Sequence, residues 1–307
     1  MAARRPPSVA QREQHAPGSV RVRDAILGQQ RRLRTAATRL DKAGASEIHD
    51  SRVAARRLRS MLKTFRPLLD AEHARLYRAD LRSFAHALGE AREADVRREL
   101  LTSVSLDDGR ISPTAHRRLL ALLERSCVAS RERLGRRIAS PEWATLGAAL
   151  ERQRAGGPLV VERNAGMAEV LALVCRAWRR PVRLLRRRPR GVAELHELRL
   201  AFKHCRYALE PVADIAPRET ERLLRRLRAA QDCIGDHRDT LLAERWVKEH
   251  EPALGSALVA RLDVGLRDRE KALRRDAARR AARVLEAWQE WRAATRPVRK
   301  AGRPSPQ

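Results

Sequence analysis

Histidine and basic side chains recur at helical spacing in the first part of the chain. Four cations follow His49 at intervals of three or four residues: Arg52, Arg56, Arg59 and Lys63. In a helix of 3.6 residues per turn, this spacing places all five side chains on one face. Because guanidinium groups bind phosphate oxygens through paired hydrogen bonds, such a face is suited to a phosphorylated ligand.

A second stretch repeats this pattern. Residues 47–62 read EIHDSRVAARRLRSML and residues 194–209 read ELHELRLAFKHCRYAL, so the second histidine follows the first by 147 positions. The corresponding side chains are His196, Arg199, Lys203 and Arg206. We refer to these two sets, His49 to Lys63 and His196 to Arg206, as the cation stripes.

A further match follows in the same order. Residues 81–93 read LRSFAHALGEARE and residues 227–239 read LRAAQDCIGDHRD, which adds Arg82 and Arg228 as candidate ligands in the next helix of each copy. Two ordered matches at nearly the same offset indicate a duplicated helical unit of about half the chain.

The cation stripes favour a bound anion over a merely solvated surface. A solvated helix face usually mixes acids with cations, whereas these faces carry cations over two to three turns. Like charges four residues apart destabilise a helix by ~0.2–0.5 kcal/mol per pair, and the chain accepts this cost at matched positions. Because one cation recurs with each ~5.4 Å turn, the stripes suit a linear polyanion.

The composition points to the same kind of partner. The 307-residue chain has 66 Lys and Arg against 38 Asp and Glu, a formal net charge of +28. A counter-charged partner relieves the self-repulsion of such a chain. Aromatic residues make up only 3% of the chain. We therefore expect the protein to contact the phosphates of a partner rather than to stack on its bases.

Apolar residues recur at three and four positions through most of the chain, which predicts an all-α protein without strands. The predicted helices span residues 20–43, 47–69, 72–104, 113–138, 142–154, 166–187, 192–214, 217–249 and 252–293. Gly156, Gly157 and Pro158 mark a junction near the middle.

These breaks predict four segments. A disordered basic segment covers residues 1–19, and a disordered basic tail covers residues 295–307. The helical domain between them, 20–294, divides into a first half at 20–155 and a second half at 160–294.

Other features bear on metal binding and location. The four cysteines lie far apart without a CxxC pair, so we predict no metal site and no cofactor. No apolar run reaches the ~18 residues of a membrane span, and the N-terminus lacks the apolar region of a signal peptide. The expected location is the cytoplasm.

The repeated segments resemble the CHAD family, the conserved histidine α-helical domain. The first signature corresponds to residues 49–59 (HDSRVAARRLR), and the second to Glu194-Leu195-His196 and the segment from Arg206 to Glu210. The glycine-containing segments 88–96 (LGEAREADV) and 231–239 (QDCIGDHRD) resemble the family as well. Glu93 stands where the family usually has Asp, and His204 stands where it usually has a cation.

The resemblance implies a fold and a ligand. It implies two four-helix-bundle halves related by a pseudo-two-fold axis, with a basic channel or surface between them. It also implies non-catalytic binding of inorganic polyphosphate and association with polyphosphate granules. The expected contacts are the cation stripes with Arg82 and Arg228. Many relatives carry a triphosphate-tunnel (CYTH) domain, but this chain has no ExExK segment that would indicate one.

Two other functions remain as alternatives. His49 and His196 could act as phospho-acceptors or metal ligands of an enzyme, although the neighbouring arginines would repel a metal ion. The positive charge could instead bind nucleic acid by non-specific electrostatics. No recognition-helix motif for reading duplex DNA is present, which argues against sequence-specific binding.

Overall fold

The computed structural model describes residues 17–40, 44–107, 109, 111–155, 165–187, 189 and 191–296. Within these ranges the chain is helical and contains no β-strand, which confirms the predicted all-α class. The helices are α1 (Gly18–Ala37), α2 (Ala45–Thr64), α3 (Ala71–Ala87), α4 (Gly89–Asp107), α5 (Pro113–Ile138), α6 (Pro141–Ala155), α7 (Met167–Ala177), α8 (Arg179–Arg186), α9 (Val192–Ala208), α10 (Pro217–Glu249), α11 (Glu251–Leu254) and α12 (Ser256–Ala294).

Local sequence signals explain the helix ends that were predicted correctly. The predicted helices 113–138 and 217–249 match α5 and α10 to the residue. At the start of α5, the Ser112 hydroxyl accepts a hydrogen bond from the Ala115 amide at 3.2 Å, and proline occupies the first helical position. This combination satisfies an otherwise free amide and supplies a backbone angle already suited to the helix.

Proline also ends α2 and α9 earlier than predicted. The predicted helices 47–69 and 192–214 end at Thr64 and Ala208, and each is followed by a short 3-10 turn with proline as its second residue. Because proline has no amide hydrogen to donate to the preceding turn, the α-helical hydrogen bonds cannot continue through it.

Three predicted long helices are divided in the structure. The predicted helix 166–187 breaks at Trp178, just before Pro181, and the predicted helix 252–293 breaks at Gly255, which has a positive φ of 87°. The predicted helix 72–104 breaks at Leu88, where α3 packs on α6 while α4 packs on α5. The second-half counterpart, α10, stays continuous because the single long helix α12 packs against it.

The main hydrophobic core draws on both halves of the chain. The apolar sides of α2 and α9 face it, and Leu58, Leu62, Leu198 and Phe202 are completely buried there. A second, smaller core joins α4 and α5 to the paired ends of α10 and α12. Both cores therefore contain helices from either side of the predicted junction at 156–158, and that junction lies outside the described residues.

Helices α10 and α12 form a long antiparallel pair. Trp291 Nε1 donates to the Thr220 hydroxyl at 2.8 Å near one end, and His237 Nε2 lies 2.9 Å from Glu270 Oε1 farther along. These buried polar contacts set the register of the pair. The pair holds α10 in place as one wall of the site described below.

The predicted terminal segments fall largely outside the described residues. Residues 1–16 and 297–307 are not described, but α1 begins at Gly18 rather than at residue 20. Ser19 is buried, and its amide donates to the Ala165 carbonyl at 3.0 Å. The helix predicted to begin at residue 20 therefore begins two residues earlier. None of the described helices is long and apolar enough to cross a membrane.

Replacing Gly255 by alanine is expected to destabilise the fold by ~1–3 kcal/mol, because a side chain at φ 87° strains the turn between α11 and α12. Urea denaturation of both proteins measures the change. Gly135→Ala in α5 is the matched control. Nothing lies within 4 Å of an added Cβ there, so we expect a stabilisation of ~0.5–1 kcal/mol. Equal free energies of unfolding for the wild type and Gly255→Ala would contradict the strain.

Candidate functional site

Helices α2 and α9 contact each other through residues at matched sequence positions. The Arg57 guanidinium lies 5.7 Å from the ring centroid of Tyr207, and Ser60 Oγ lies 2.7 Å from His204 Nδ1. His204 follows Arg57 by 147 positions, and Tyr207 follows Ser60 by the same number. The two contacts are therefore reciprocal, as a two-fold relation between the helices would produce.

One arginine of each stripe binds the neighbouring helix at an equivalent carbonyl. Arg52 Nη1 donates to the Ala85 carbonyl oxygen at 3.0 Å, and Arg199 Nε donates to the Gln231 carbonyl oxygen at 3.2 Å. Each bond leaves part of the guanidinium free for a further ligand, since arginine carries five N–H groups.

A glycine one turn after each carbonyl makes room for the arginine. A Cβ added to Gly235 would lie 2.7 Å from Arg199 Nη2, and a Cβ added to Gly89 would lie 3.1 Å from Arg52 Nη1. The first distance is closer than any real contact, so Gly235 is required for this arginine position. Gly89 and Arg52 thus form the same arrangement as Gly235 and Arg199.

A cavity of about 350 Å³ opens where α2 and α9 meet α4 and α10. The stripes contribute the side chains of His49, Arg52, Arg56, Arg199 and Lys203. The other two helices contribute further cations, among them Arg92 and Arg238. We call this the central cavity. Four helices therefore direct positive charge into one space.

A second cavity continues on the other side of Arg56 and Lys203, which line both. This lateral cavity, of about 650 Å³, is bounded by α2, α3, α8 and α9. Its cations are Arg56, Arg59, Lys63, Arg75, Arg78, Arg82, Arg180 and Lys203. The central and lateral cavities together form what we call the basic groove.

Lys203 is the most strongly perturbed cation of the groove. Its side chain is 9% exposed, and burial lowers its pKa to about 6, with further lowering by Arg56, Arg199 and Arg206. Asp239 opposes the shift but does not cancel it. The apoprotein therefore holds Lys203 largely uncharged at neutral pH, and an anion in the groove would supply the missing counter-charge.

Three cations of the first stripe show the same crowding. Burial lowers the pKa of Arg52 to about 10, assisted by Arg56. Burial and the neighbouring Arg56 and Arg82 also lower the pKa of Arg59. Lys63 shifts downward through burial and the nearby Arg180. Besides burial, Arg56 of the first stripe lowers the pKa of Lys203 and of Arg199 in the second stripe, so the two stripes lie close together in space.

His49 and His196, the first residues of the two cation stripes, lie at the edge of this charge cluster. Burial, followed by Arg92, lowers the pKa of His49, and burial, followed by Arg238, lowers that of His196. His196 Nδ1 is buried and has no hydrogen-bond partner among the described residues. Burial and the neighbouring arginines therefore disfavour the protonated form of both rings.

His204 connects α9 to α2 through hydrogen bonds rather than through charge. Its ring lies between Ser60 Oγ at 2.7 Å and Thr64 Oγ1 at 3.3 Å, across the α2–α9 contact. Burial lowers its pKa to about 4, with Lys63 adding to the shift. A neutral hydrogen-bonding ring thus replaces a cation here, which joins the two helices without adding to their repulsion.

Acidic residues partly balance the central cavity. Glu93, the other departure from the family pattern, lies 3.9 Å from Arg238 between Oε1 and Nη2. Asp239 lies near Arg199, Arg238 and Lys203, although burial raises its pKa overall. These carboxylates hold some of the cations in place when no ligand is bound.

The structure brings most, but not all, of the predicted ligands together. His49, Arg52, Arg56, Arg59, Lys63, Arg82, Arg199 and Lys203 line the groove. Arg206 and His196 line neither groove cavity, and Arg206 Nη2 donates to Tyr207 Oη at 3.1 Å. Arg228 is exposed and also lines neither.

The site residues that the stripes alone do not identify come from other helices. Arg92 and Arg238 lie at matched positions in the glycine-containing segments, so the repeat itself carried a signal for them. Arg78 and Arg180 carried no such signal, because their place depends on how α3 and α8 pack. Among the described residues, no three His, Cys, Asp or Glu side chains form a group that could hold a metal ion.

Fold and site together define an all-helical domain with a basic groove between two matched histidine- and arginine-bearing helices. Residues 24–248 match the family model of the CHAD domain, most of the chain, so this protein belongs to the CHAD family. That family is associated with inorganic polyphosphate. No triphosphate-tunnel domain is matched.

Two solved structures share the fold. The structure described as PptA from Streptomyces chartreusis is 22% identical, with a TM-score of 0.69, covering 89% of this chain and 100% of that one. The CHAD domain from the plant Ricinus communis is also 22% identical, with a TM-score of 0.63, covering 91% of this chain and 92% of that one. A comparison with curated proteins finds no match.

Lys203→Met is expected to stabilise the apoprotein by more than ~1 kcal/mol at pH 7. The unfolded chain keeps the lysine proton up to its usual pKa of 10.5, whereas the folded protein releases it near pH 6. Between these values the unfolded state binds more protons, so wild-type stability should rise with pH over this window. Urea denaturation at a series of pH values measures this slope.

The matched control for this variant is Lys271→Met, at an exposed position on α12. It should leave both the stability and its pH dependence close to those of the wild type. A Lys203→Met protein that is less stable than wild type at pH 7, or that keeps the full slope between pH 6 and 10.5, would contradict a desolvated lysine.

Proposed function

We propose that this protein binds inorganic polyphosphate in the basic groove without catalysing a reaction, in the cytoplasm and at polyphosphate granules. The observation that carries the proposal is the burial of Lys203 among Arg56, Arg199 and Arg206. Keeping a lysine away from water among arginines costs the apoprotein either the charge of the amino group or its solvation. A bound polyanion supplies the counter-charge that stabilises the protonated lysine and the surrounding arginines, which favours binding.

The shape of the site favours a polymer over a single phosphate. Arg56 and Lys203 line both cavities, so the central and lateral parts of the groove are adjacent. α2, with 20 residues, is ~30 Å long, and its cations are spread along it. A linear phosphate chain can contact these cations in sequence, whereas one phosphate can reach only a few.

We further propose that the two halves are copies of one helical unit related by a pseudo-two-fold axis. The reciprocal Arg57–Tyr207 and Ser60–His204 contacts support this relation. The equivalent hydrogen bonds from Arg52 and Arg199 to the neighbouring helices support it as well. A basic groove between the copies then receives one cation stripe from each.

A binding role fits the groove better than either alternative. The arginines that surround His49 and His196 would repel a metal ion, and their charge favours holding a phosphate rather than releasing it. Base stacking requires exposed rings, but Tyr207 and Trp246, which line the groove, are 1% and 6% exposed. The groove therefore offers charge to phosphates and little surface to bases.

Changing Arg52, Arg56, Arg199 and Lys203 to Glu should weaken binding of long-chain polyphosphate at least ~1000-fold, since each lost charged hydrogen bond is worth ~1.5–3 kcal/mol. Titration calorimetry measures affinity, and circular dichroism checks helicity. The milder pair Arg56→Gln and Lys203→Met, which keeps the helix-to-helix bonds of Arg52 and Arg199, should still lose ~10-fold or more.

The matched control reverses four exposed arginines on α5 and α12: Arg117, Arg125, Arg136 and Arg283. It changes net charge equally and should retain most of the affinity. Equal damage from this control, or from reversing the four cations of the 296–303 tail, would show that total charge rather than the groove binds the polymer.

Competition tests the choice of polymer. We expect long-chain polyphosphate to remain bound when DNA is added at equal phosphate concentration and fixed salt, because the groove matches a bare phosphate chain. Fluorescence anisotropy of labelled polyphosphate follows displacement. The same titration with unlabelled polyphosphate is the control. One-for-one displacement by DNA would mean that the groove binds polyanions without selectivity.

A further inference from the structure

A second group of arginines lies on α7, α8 and the end of α12. Between residues 176 and 190 the chain contains eight arginines and no acidic residue. Six exposed arginines surround a cavity of about 700 Å³: Arg176, Arg179, Arg183, Arg186, Arg187 and Arg292. We call this the α8 cavity. The internal repeat gave no prediction for these arginines, because they lie outside the cation stripes.

Two stacked tryptophans form an apolar floor in the α8 cavity. Trp178 and Trp288 line it, with ring centroids 4.2 Å apart and planes 6° from parallel. The two rings are 1% and 4% exposed, so they present little surface on which a base could stack. An apolar floor beneath charged groups lowers the local dielectric and strengthens their attraction for an anion.

The α8 cavity connects to the basic groove through shared residues. A link cavity of about 600 Å³ contains Lys63, Arg180 and His204, which also line the lateral cavity. The same link cavity contains Arg176, which also lines the α8 cavity. Arg66 adds a further exposed cation between them. Each cavity thus shares at least one cation with the next, from the lateral cavity through the link cavity to the α8 cavity.

We propose that the α8 cavity is an extension of the polyphosphate path, so that the protein binds long chains more tightly than short ones. This inference rests on the proposed function of the groove. A short oligomer is held by the groove alone. A long chain passes Lys63 and Arg176 and reaches the arginines of α8, which adds contacts that a short oligomer cannot make.

The arrangement of charges favours an extension over an independent site. Arg180 lines the lateral and link cavities, while Arg179 and Arg183 of the same helix line the α8 cavity. One short helix therefore presents cations to both ends of the link. The phosphates that reach the α8 cavity belong to the same polymer as those held in the groove. Their contact is therefore intramolecular, so even a modest attraction at the α8 cavity strengthens binding of the whole chain.

The test compares two ligands, tripolyphosphate and long-chain polyphosphate, on one variant. Replacing Arg179, Arg183 and Arg186 by Ser should weaken long-chain binding ~10-fold or more and change tripolyphosphate affinity less than ~2-fold. The slope of log affinity against log salt should fall by ~2 for the long chain only, since about three phosphate contacts are lost. Titration calorimetry at several salt concentrations provides both quantities.

The matched control replaces Arg117, Arg125 and Arg136 of α5 by Ser, with the same loss of charge. It should leave the preference for the long chain intact. Unchanged long-chain affinity in the α8 variant, an equal loss for both ligands, or an equal loss in the control would overturn the extension. Loss of duplex DNA binding with polyphosphate binding retained would instead make the α8 cavity a nucleic-acid site.

The groove variant separates this inference from the function on which it rests. Reversal of Arg52, Arg56, Arg199 and Lys203 should abolish tripolyphosphate binding as well as long-chain binding. If that variant binds both ligands as the wild type does, the proposed function fails. If it loses both while the α8 variant loses neither, the groove stands and only the extension is wrong.

Discussion

Repulsion between the cations of α2 and α9 is the constraint around which the molecule is built. Lys203 is largely buried, and the two helices pack closely enough for Arg56 of α2 to lower further the pKa of Lys203 and of Arg199 on α9. Folding must offset this unfavourable contact with other interactions. The completely buried apolar residues on the opposite sides of both helices, such as Leu58 and Phe202, provide that compensation at the shared core.

The surrounding contacts limit the repulsion without removing the charge. Arg52 and Arg199 each donate to a main-chain carbonyl, which holds them against the neighbouring helix. His204 stays neutral between two hydroxyl groups and joins the helices at a position where a cation would add to the crowding. Glu93 and Asp239 supply nearby negative charge. These contacts therefore reduce the free-energy cost of the positively charged groove in the absence of a ligand.

The sequence predicted the helical class and most of the groove because both depend on local spacing. A stripe with three- and four-residue intervals identifies one helix face, and its repetition identifies a second face. The walls beyond these faces depend on how distant helices pack, so Arg78 and Arg180 could not be found in this way. Spacing also could not show that Arg206 differs from the stripe residues that line the groove. The Arg206 guanidinium lies 5.0 Å from the Tyr207 ring centroid instead.

The break at Leu88 has a mechanical consequence for the groove. One wall of the central cavity belongs to α10, a continuous helix of 33 residues braced along its length by α12. Another wall belongs to α4, which is separated from α3 at Leu88; α3 packs chiefly on α2 and α6, and α4 packs chiefly on α5. A continuous helix with one long partner resists bending, whereas the main-chain hydrogen bonds of a single helix do not run from α3 into α4. The two walls of the central cavity thus come from matched sequence segments but differ in construction, so the two stripes face unequal surroundings.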